Sequence, residues 1–177
     1  MRNRFDGRAL CALIATAACS VMLSGCGFIF QNHEKRADAT LQPTPGSATR
    51  GTVTLIERAD GVQVSYSLTD MPPNSDHALT VHERGDCIAV NDPEASPVFA
   101  LPADRRRASA RLEGELGNIH ADATGSATGF IAATDVSLDG VRSVISRAIV
   151  LHREALDPYA SAPHNVGPAL ACGVTRR

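Results

Sequence analysis

Two histidines in separate apolar segments, His82 and His152, are the residues of this chain best suited to do chemistry. Neutral imidazole is the commonest side-chain ligand for metals and suits both copper and zinc. His82 lies in His77-Ala-Leu-Thr-Val-His-Glu-Arg-Gly-Asp-Cys87, and His152 closes Ser143-Val-Ile-Ser-Arg-Ala-Ile-Val-Leu-His152. Alternate residues of a strand share a face, so Thr80 and His82 project together while Leu79 and Val81 project oppositely. His152, ending another strand, can meet His82 there. Two imidazoles can hold Cu(I) linearly, whereas a structural zinc site needs four ligands. The interval from Glu83 to Ile119 holds no histidine. His77 or His164 could supply an extra copper ligand, although a structural hydrogen bond for His77 and a surface position for His164 are the plainer readings. His120 is read as solvent-facing, and His33 as part of a linker. No Ser-His-Asp order with an elbow motif appears, and no glycine-rich phosphate loop precedes a helix.

The elements that must position these residues are strands. Val62, Val64, Tyr66 and Leu68 alternate with Gln63, Ser65 and Ser67, the pattern of a half-buried strand. Thr52 to Ile56 is rich in β-branched residues and precedes an Ala59-Asp60-Gly61 turn. Gly129 to Ala133 and Ser143 to Leu151 are further strand candidates. Asp70 to Ser75 and Leu138 to Gly140 are turn chemistry. Short strands between such breaks predict an all-β antiparallel sandwich or barrel. No internal repeat and no amphipathic helix of convincing length is visible.

The segment His77–Cys87 resembles the copper-binding strand of the copper–zinc superoxide dismutases, which runs His-Gly-Phe-His-Val-His-Glu-x-Gly-Asp-Cys. Three other blocks resemble the same family, in its order: Gly114-Glu-Leu-Gly-Asn-Ile119 with Ala121-Asp122, Ser143–His152, and Asn165-Val-Gly-Pro-Ala-Leu-Ala-Cys-Gly-Val174. The resemblance spans roughly residues 50 to 174 and implies a Greek-key β-barrel, a sandwich architecture. It also implies a disulfide between Cys87 and Cys172, which would stabilise by roughly 4–5 kcal/mol on the chain-entropy model.

The same resemblance implies a site that has lost most of its ligands. In the family four histidines hold copper, and zinc shares one of them alongside two further histidines and an aspartate. Thr80 stands where the first copper histidine belongs, and His82 and His152 stand at two surviving copper positions. The bridging and zinc histidines would fall in the histidine-free interval. Glu115, at the place of the zinc aspartate, is one carboxylate and cannot hold zinc alone. Ala169 replaces the arginine that draws superoxide to copper, a cation that raises the encounter rate of an anion. Leu156 replaces the aspartate linking the two metal sites. Copper is therefore the one metal with surviving ligand positions, and zinc is not expected.

The first 25 residues read as a removable signal. Arg2, Arg4 and Arg8 precede the apolar run Ala9 to Leu23, and Leu23-Ser-Gly-Cys26 reads as a bacterial lipobox whose Cys26 is lipidated. Residues 26–50, with Gln42-Pro-Thr-Pro-Gly-Ser47, read as a lipidated start and flexible tether, and 51–177 as the barrel domain. Once Cys11 and Cys19 leave with the signal and Cys26 takes lipid, Cys87 and Cys172 are an even pair suited to an oxidising compartment. Removing Arg2, Arg4, Arg8 and Asp6 from 17 Lys+Arg and 19 Asp+Glu leaves a formal charge of −4, no footprint for nucleic acid. Arg105-Arg-Arg107 is read as solvated surface able to meet a lipid headgroup or an anionic partner.

These readings predict a lipid-anchored protein of the bacterial cell envelope, facing the periplasm or the cell exterior, with a degenerate metal site. Binding or structural work without standard dismutation is the first expectation. Copper binding through His82 and His152, or residual dismutation at an unusual copper site, are the alternatives. The partners expected are the bilayer through Cys26 and either an unidentified protein or a second copy of the chain.

Overall fold

The computed structural model describes residues 34–92, 94–104, 111–160 and 166–177. Eight strands carry the fold: β1 Arg36–Pro43, β2 Arg50–Arg58, β3 Gly61–Thr69, β4 Ser75–His82, β5 Glu115–Ala121, β6 Ala127–Ala133, β7 Ala148–His152 and β8 Ala169–Val174. Every pairing between these strands is antiparallel, and among the described residues the strand order is β5-β4-β7-β8-β1-β2-β3-β6. Curling this sheet brings β5 back beside β6, which makes a nearly closed Greek-key barrel. The expected all-β class is the one found.

Period-two patterning fills the barrel. Val53, Leu55, Val62, Val64, Leu68, Leu79, Val81, Ile149 and Leu151 are buried in one apolar core. Each such side chain contributes roughly 1.5–3 kcal/mol when fully withdrawn from water. Leu79 and Val81 point into this core, as the alternation predicts, which leaves Thr80 and His82 on the outer face of β4. Glycine is required at the β5–β6 turn, where Gly125 has φ +75° and a Cβ would stand 2.3 Å from the Met71 carbonyl oxygen.

The barrel begins earlier than residue 51. β1 falls inside the stretch read as tether, pairing with β2 from Arg36↔Ile56 to Leu41↔Gly51 and with β8 at Gln42↔Cys172. Ala37, Ala39 and Leu41 are buried and alternate with exposed Arg36, Asp38 and Thr40. The alternation is present in the sequence but rests on two alanines, which are depleted in strands and bury little area, so it does not register as apolar periodicity. Gln42 and Pro43 are likewise strand residues rather than linker.

The strand expected from Ser143 to Leu151 starts only at Ala148. Ser146 takes a positive φ of 60°, and the Arg147 guanidinium turns back to donate to the Ser143 carbonyl at 2.8 Å and to Glu83 at 2.8 Å. This local fold consumes the backbone that a longer strand would pair.

Candidate functional site

β4 and β7 lie side by side with Thr80 opposite Val150 and His82 opposite Ala148. A register shift at Leu151/His152 then sets His152 opposite Ala169 of β8. Bulges of this kind re-aim a side chain. The result is a stacked pair of imidazoles on the outer face of the barrel, with ring centroids 5.5 Å apart and planes 20° from parallel. Their Nε2 atoms are 3.3 Å apart, and Thr80 Oγ1 lies 2.9 Å from His152 Nε2. Thr80, His82 and His152 are all buried, at 0%, 4% and 5% exposure.

Backbone carbonyls fix the tautomers of both rings. His82 Nδ1 donates to the Ser96 carbonyl at 2.7 Å, and His152 Nδ1 donates to the Gly167 carbonyl at 3.2 Å. A carbonyl oxygen only accepts, so in each neutral ring Nδ1 carries the proton and Nε2 is bare. Thr80 donates to the bare nitrogen of His152. The His82 Nε2 lone pair then faces another lone pair, which is not a hydrogen bond between neutral rings. Burial discourages the proton that could bridge them. It lowers the pKa of His82, and together with the charge His82 would carry it lowers that of His152 to about 4.

The positions inherited from the family's site divide cleanly. His82 and His152 are brought together, and Thr80 joins them. Glu115 is opposite Thr80 across β4–β5, but its carboxylate accepts from the Leu112 amide at 3.1 Å and closes the turn that opens β5. Ala169 is buried, and its amide donates to Asn91 Oδ1 at 2.7 Å, so the segment after β4 covers the place of the arginine. Leu156 exchanges two hydrogen bonds with the Asn118 side chain, which fastens the loop after β7 to β5.

The other histidines are accounted for among the described residues. His77 Nδ1 donates to the His152 carbonyl at 3.0 Å and its Nε2 is 2.7 Å from Ser75 Oγ, so it is a buried structural side chain with both nitrogens engaged. His120 is exposed beside Asp76, 2.9 Å from its carboxylate. Cys87 and Cys172 form the disulfide implied by the resemblance. Cys26, His33, Arg105–Arg107 and His164 lie outside the described residues. Of Ser96, Gly167 and Asn91, only Gly167 stands out in the sequence, as a structural glycine of the Asn165–Val174 block. Two of them act through backbone carbonyls, which leave no side-chain signature to read.

Among the described residues no group of three or more His, Cys, Asp or Glu side chains is close enough to hold a metal ion. The His82–His152 distance does suit two ligands of one ion: nitrogens bound at about 2.0 Å, as on zinc, span roughly 3.3 Å at a tetrahedral angle. Two nitrogens do not make the four-histidine copper centre, and the described residues do not fit a zinc site beside it.

A Greek-key barrel with paired imidazoles on its outer face and a disulfide from the following loop to its last strand defines the class of protein to which this chain belongs. The family model described as "Copper/zinc superoxide dismutase (SODC)" matches residues 49–175, and the chain belongs to that family. It is 32% identical over 154 residues to a superoxide dismutase [Cu-Zn] of Candida glabrata, covering 78% of this chain and 96% of that protein. It is 33% identical to the superoxide dismutase [Cu-Zn] of Talaromyces marneffei over 71% of this chain and 88% of the relative. The corresponding protein of Neurospora crassa is 31% identical over 72% of this chain and 90% of its own length.

Proposed function

We propose that this chain is a lipid-anchored module of the bacterial cell envelope that keeps the dismutase barrel for binding or structural work and does not carry out standard dismutation. One observation carries the reading: among the described residues that would bind and steer at copper, only His82 and His152 are together, while Thr80 and buried Ala169 fill two other positions. Dismutation requires copper to alternate between oxidation states with superoxide reaching it. Threonine hydroxyl is a poor copper ligand at neutral pH, and alanine supplies no field to draw an anion. The partner of such a module is a protein of the envelope or a second copy of the chain.

The test is copper and zinc content of the purified protein after loading and dialysis, with superoxide dismutation assayed on the same sample. Neither stoichiometric metal nor activity above the free ion is expected. Zinc retained at one per chain, or copper-dependent turnover, would end this reading.

A second reading is favoured by the two bare Nε2 atoms, 3.3 Å apart and each set by a carbonyl behind its ring. Carbonyl-bound Nδ1–H groups orient histidines for metals in general. On this reading the chain captures Cu(I) in a bent two-nitrogen clasp, since a linear arrangement would need about 4 Å between the nitrogens at ordinary bond lengths. One copper per chain, lost in both His82→Ala and His152→Ala, would establish copper capture in place of the first proposal.

A further inference from the structure

The chain is joined to the barrel from residue 34 onward. Glu34 pairs with Arg58, Lys35 pairs with Asp139 at 2.7 Å, and the Glu57 amide donates to the Lys35 carbonyl at 2.9 Å. Residues 27–33 are then all that separates Cys26 from the barrel. Seven residues reach at most about 25 Å. A strand the length of β2 rises about 30 Å. An anchor at Cys26 therefore holds close to the bilayer the end of the barrel at which residue 34 attaches.

That end carries an unusual tip. Gly140–Arg142 forms a single 3₁₀ turn, and the preceding Asp139 is the partner of both Lys35 and Arg177, which ties the turn to the start of the barrel. Val141 is 81% exposed at its apex. Arg142 beside it is exposed, with no ion-pair partner among the described residues. Lys35, Arg36 and Arg58 at the same end are each satisfied by a carboxylate, so net charge supplies little attraction there. An apolar side chain next to an uncommitted guanidinium matches the boundary of a phospholipid bilayer. There the apolar atoms leave water while the guanidinium meets a phosphodiester.

We infer that the Val141–Arg142 tip is a docking surface for phospholipid headgroups, and that it orients the barrel with the start of β4, the end of β5 and the Gly125 turn facing away from the membrane. The inference rests on the lipid-anchor reading of Cys26. It adds which face of the barrel the anchor presents.

The chain contains two tyrosines but no tryptophan, so Val141→Trp installs at the tip a sole tryptophan that can be excited selectively. Ala123→Trp does the same at the β5–β6 turn, at the opposite end of the barrel by strand register. Full-length protein, processed in cells and purified, would be placed in phosphatidylethanolamine–phosphatidylglycerol vesicles containing headgroup spin-labelled lipid. Its intact mass would be recorded to establish acylation of Cys26. Several-fold stronger quenching at position 141 than at 123 is expected, reduced by Arg142→Glu in the same protein. Equal or reversed quenching on acylated protein overturns the orientation alone. A mature mass without acyl groups on Cys26 overturns the anchor reading and this inference together.

Discussion

At the scale of single residues, the His82–His152 pair stores a pH dependence whose sign is fixed by burial. His152 titrates near 4 in the folded chain, chiefly because burial penalises its charged form, with His82 second and the Gly167 carbonyl opposing. An unfolded histidine titrates near 6.5. Between those values the unfolded chain binds a proton that the folded chain refuses. The stabilisation is complete above about pH 6.5 and is lost as pH falls through about 4, amounting to on the order of 3 kcal/mol for this group. His82, also lowered by burial, adds to the loss in the same direction. Metal-free protein should therefore show a lower urea midpoint at pH 4.5 than at pH 7. His152→Gln should flatten that difference, and an unchanged slope in this variant would place the pH dependence elsewhere. A second residue-scale expectation concerns Gly125. An alanine there must hold φ +75° and press its Cβ against the Met71 carbonyl. Gly46 has a similar φ of +84° but nothing within 4 Å of a Cβ. Strain of this kind costs roughly 1–3 kcal/mol. Chemical denaturation should show Gly125→Ala as the more damaging of the two.

At the scale of elements, β1 decides where the folded domain begins. It connects β8 to β2, and without it the sheet opens between those strands. A chain begun at residue 51 would leave the core without Ala37, Ala39 and Leu41 and would leave the edge of β2, and part of that of β8, unpaired. It is expected to aggregate or to lack protected amides, whereas a chain begun at residue 34 should fold. Circular dichroism with amide exchange separates the two, and protected amides in the shorter chain would refute the role given to β1. The strands with strong β-branched alternation, β2 and β3, are legible in the sequence because their apolar residues are large. β1 is hidden behind alanines, and the segment ahead of β7 fails as a strand because Arg147 and Ser146 fold it into a turn.

At the scale of the whole molecule, the Cys87–Cys172 bond joins residues 85 apart in sequence and ties the segment after β4 to β8. That segment supplies the Ser96 carbonyl to His82 and the Asn91 side chain to Ala169. Cross-linking a loop of this length is worth roughly 4–5 kcal/mol on the chain-entropy model. The double variant Cys87→Ser, Cys172→Ser should lose stability of that order in denaturant titrations. Its His82 ring should also exchange with solvent faster by NMR. A small loss with an unchanged His82 signal would mean that strand pairing alone fixes the loop.

The sequence by itself determined the all-β class and the absence of histidine between Glu83 and Ile119, and its motifs implied the Cys87–Cys172 pairing only through their family resemblance. These are local facts, carried by alternation within a strand or by a residue type at a motif position. Only the tertiary structure decided that β1 belongs to the barrel and that His82 and His152 present bare nitrogens to one another. It likewise decided that Glu115 is turned to the Leu112 amide and that Ala169 lies covered. Each of these depends on contacts between residues distant in the chain, or on the direction in which a backbone carbonyl points. Barrel closure fixes those contacts, whereas a linear pattern of residue types specifies only which side of a strand a residue occupies.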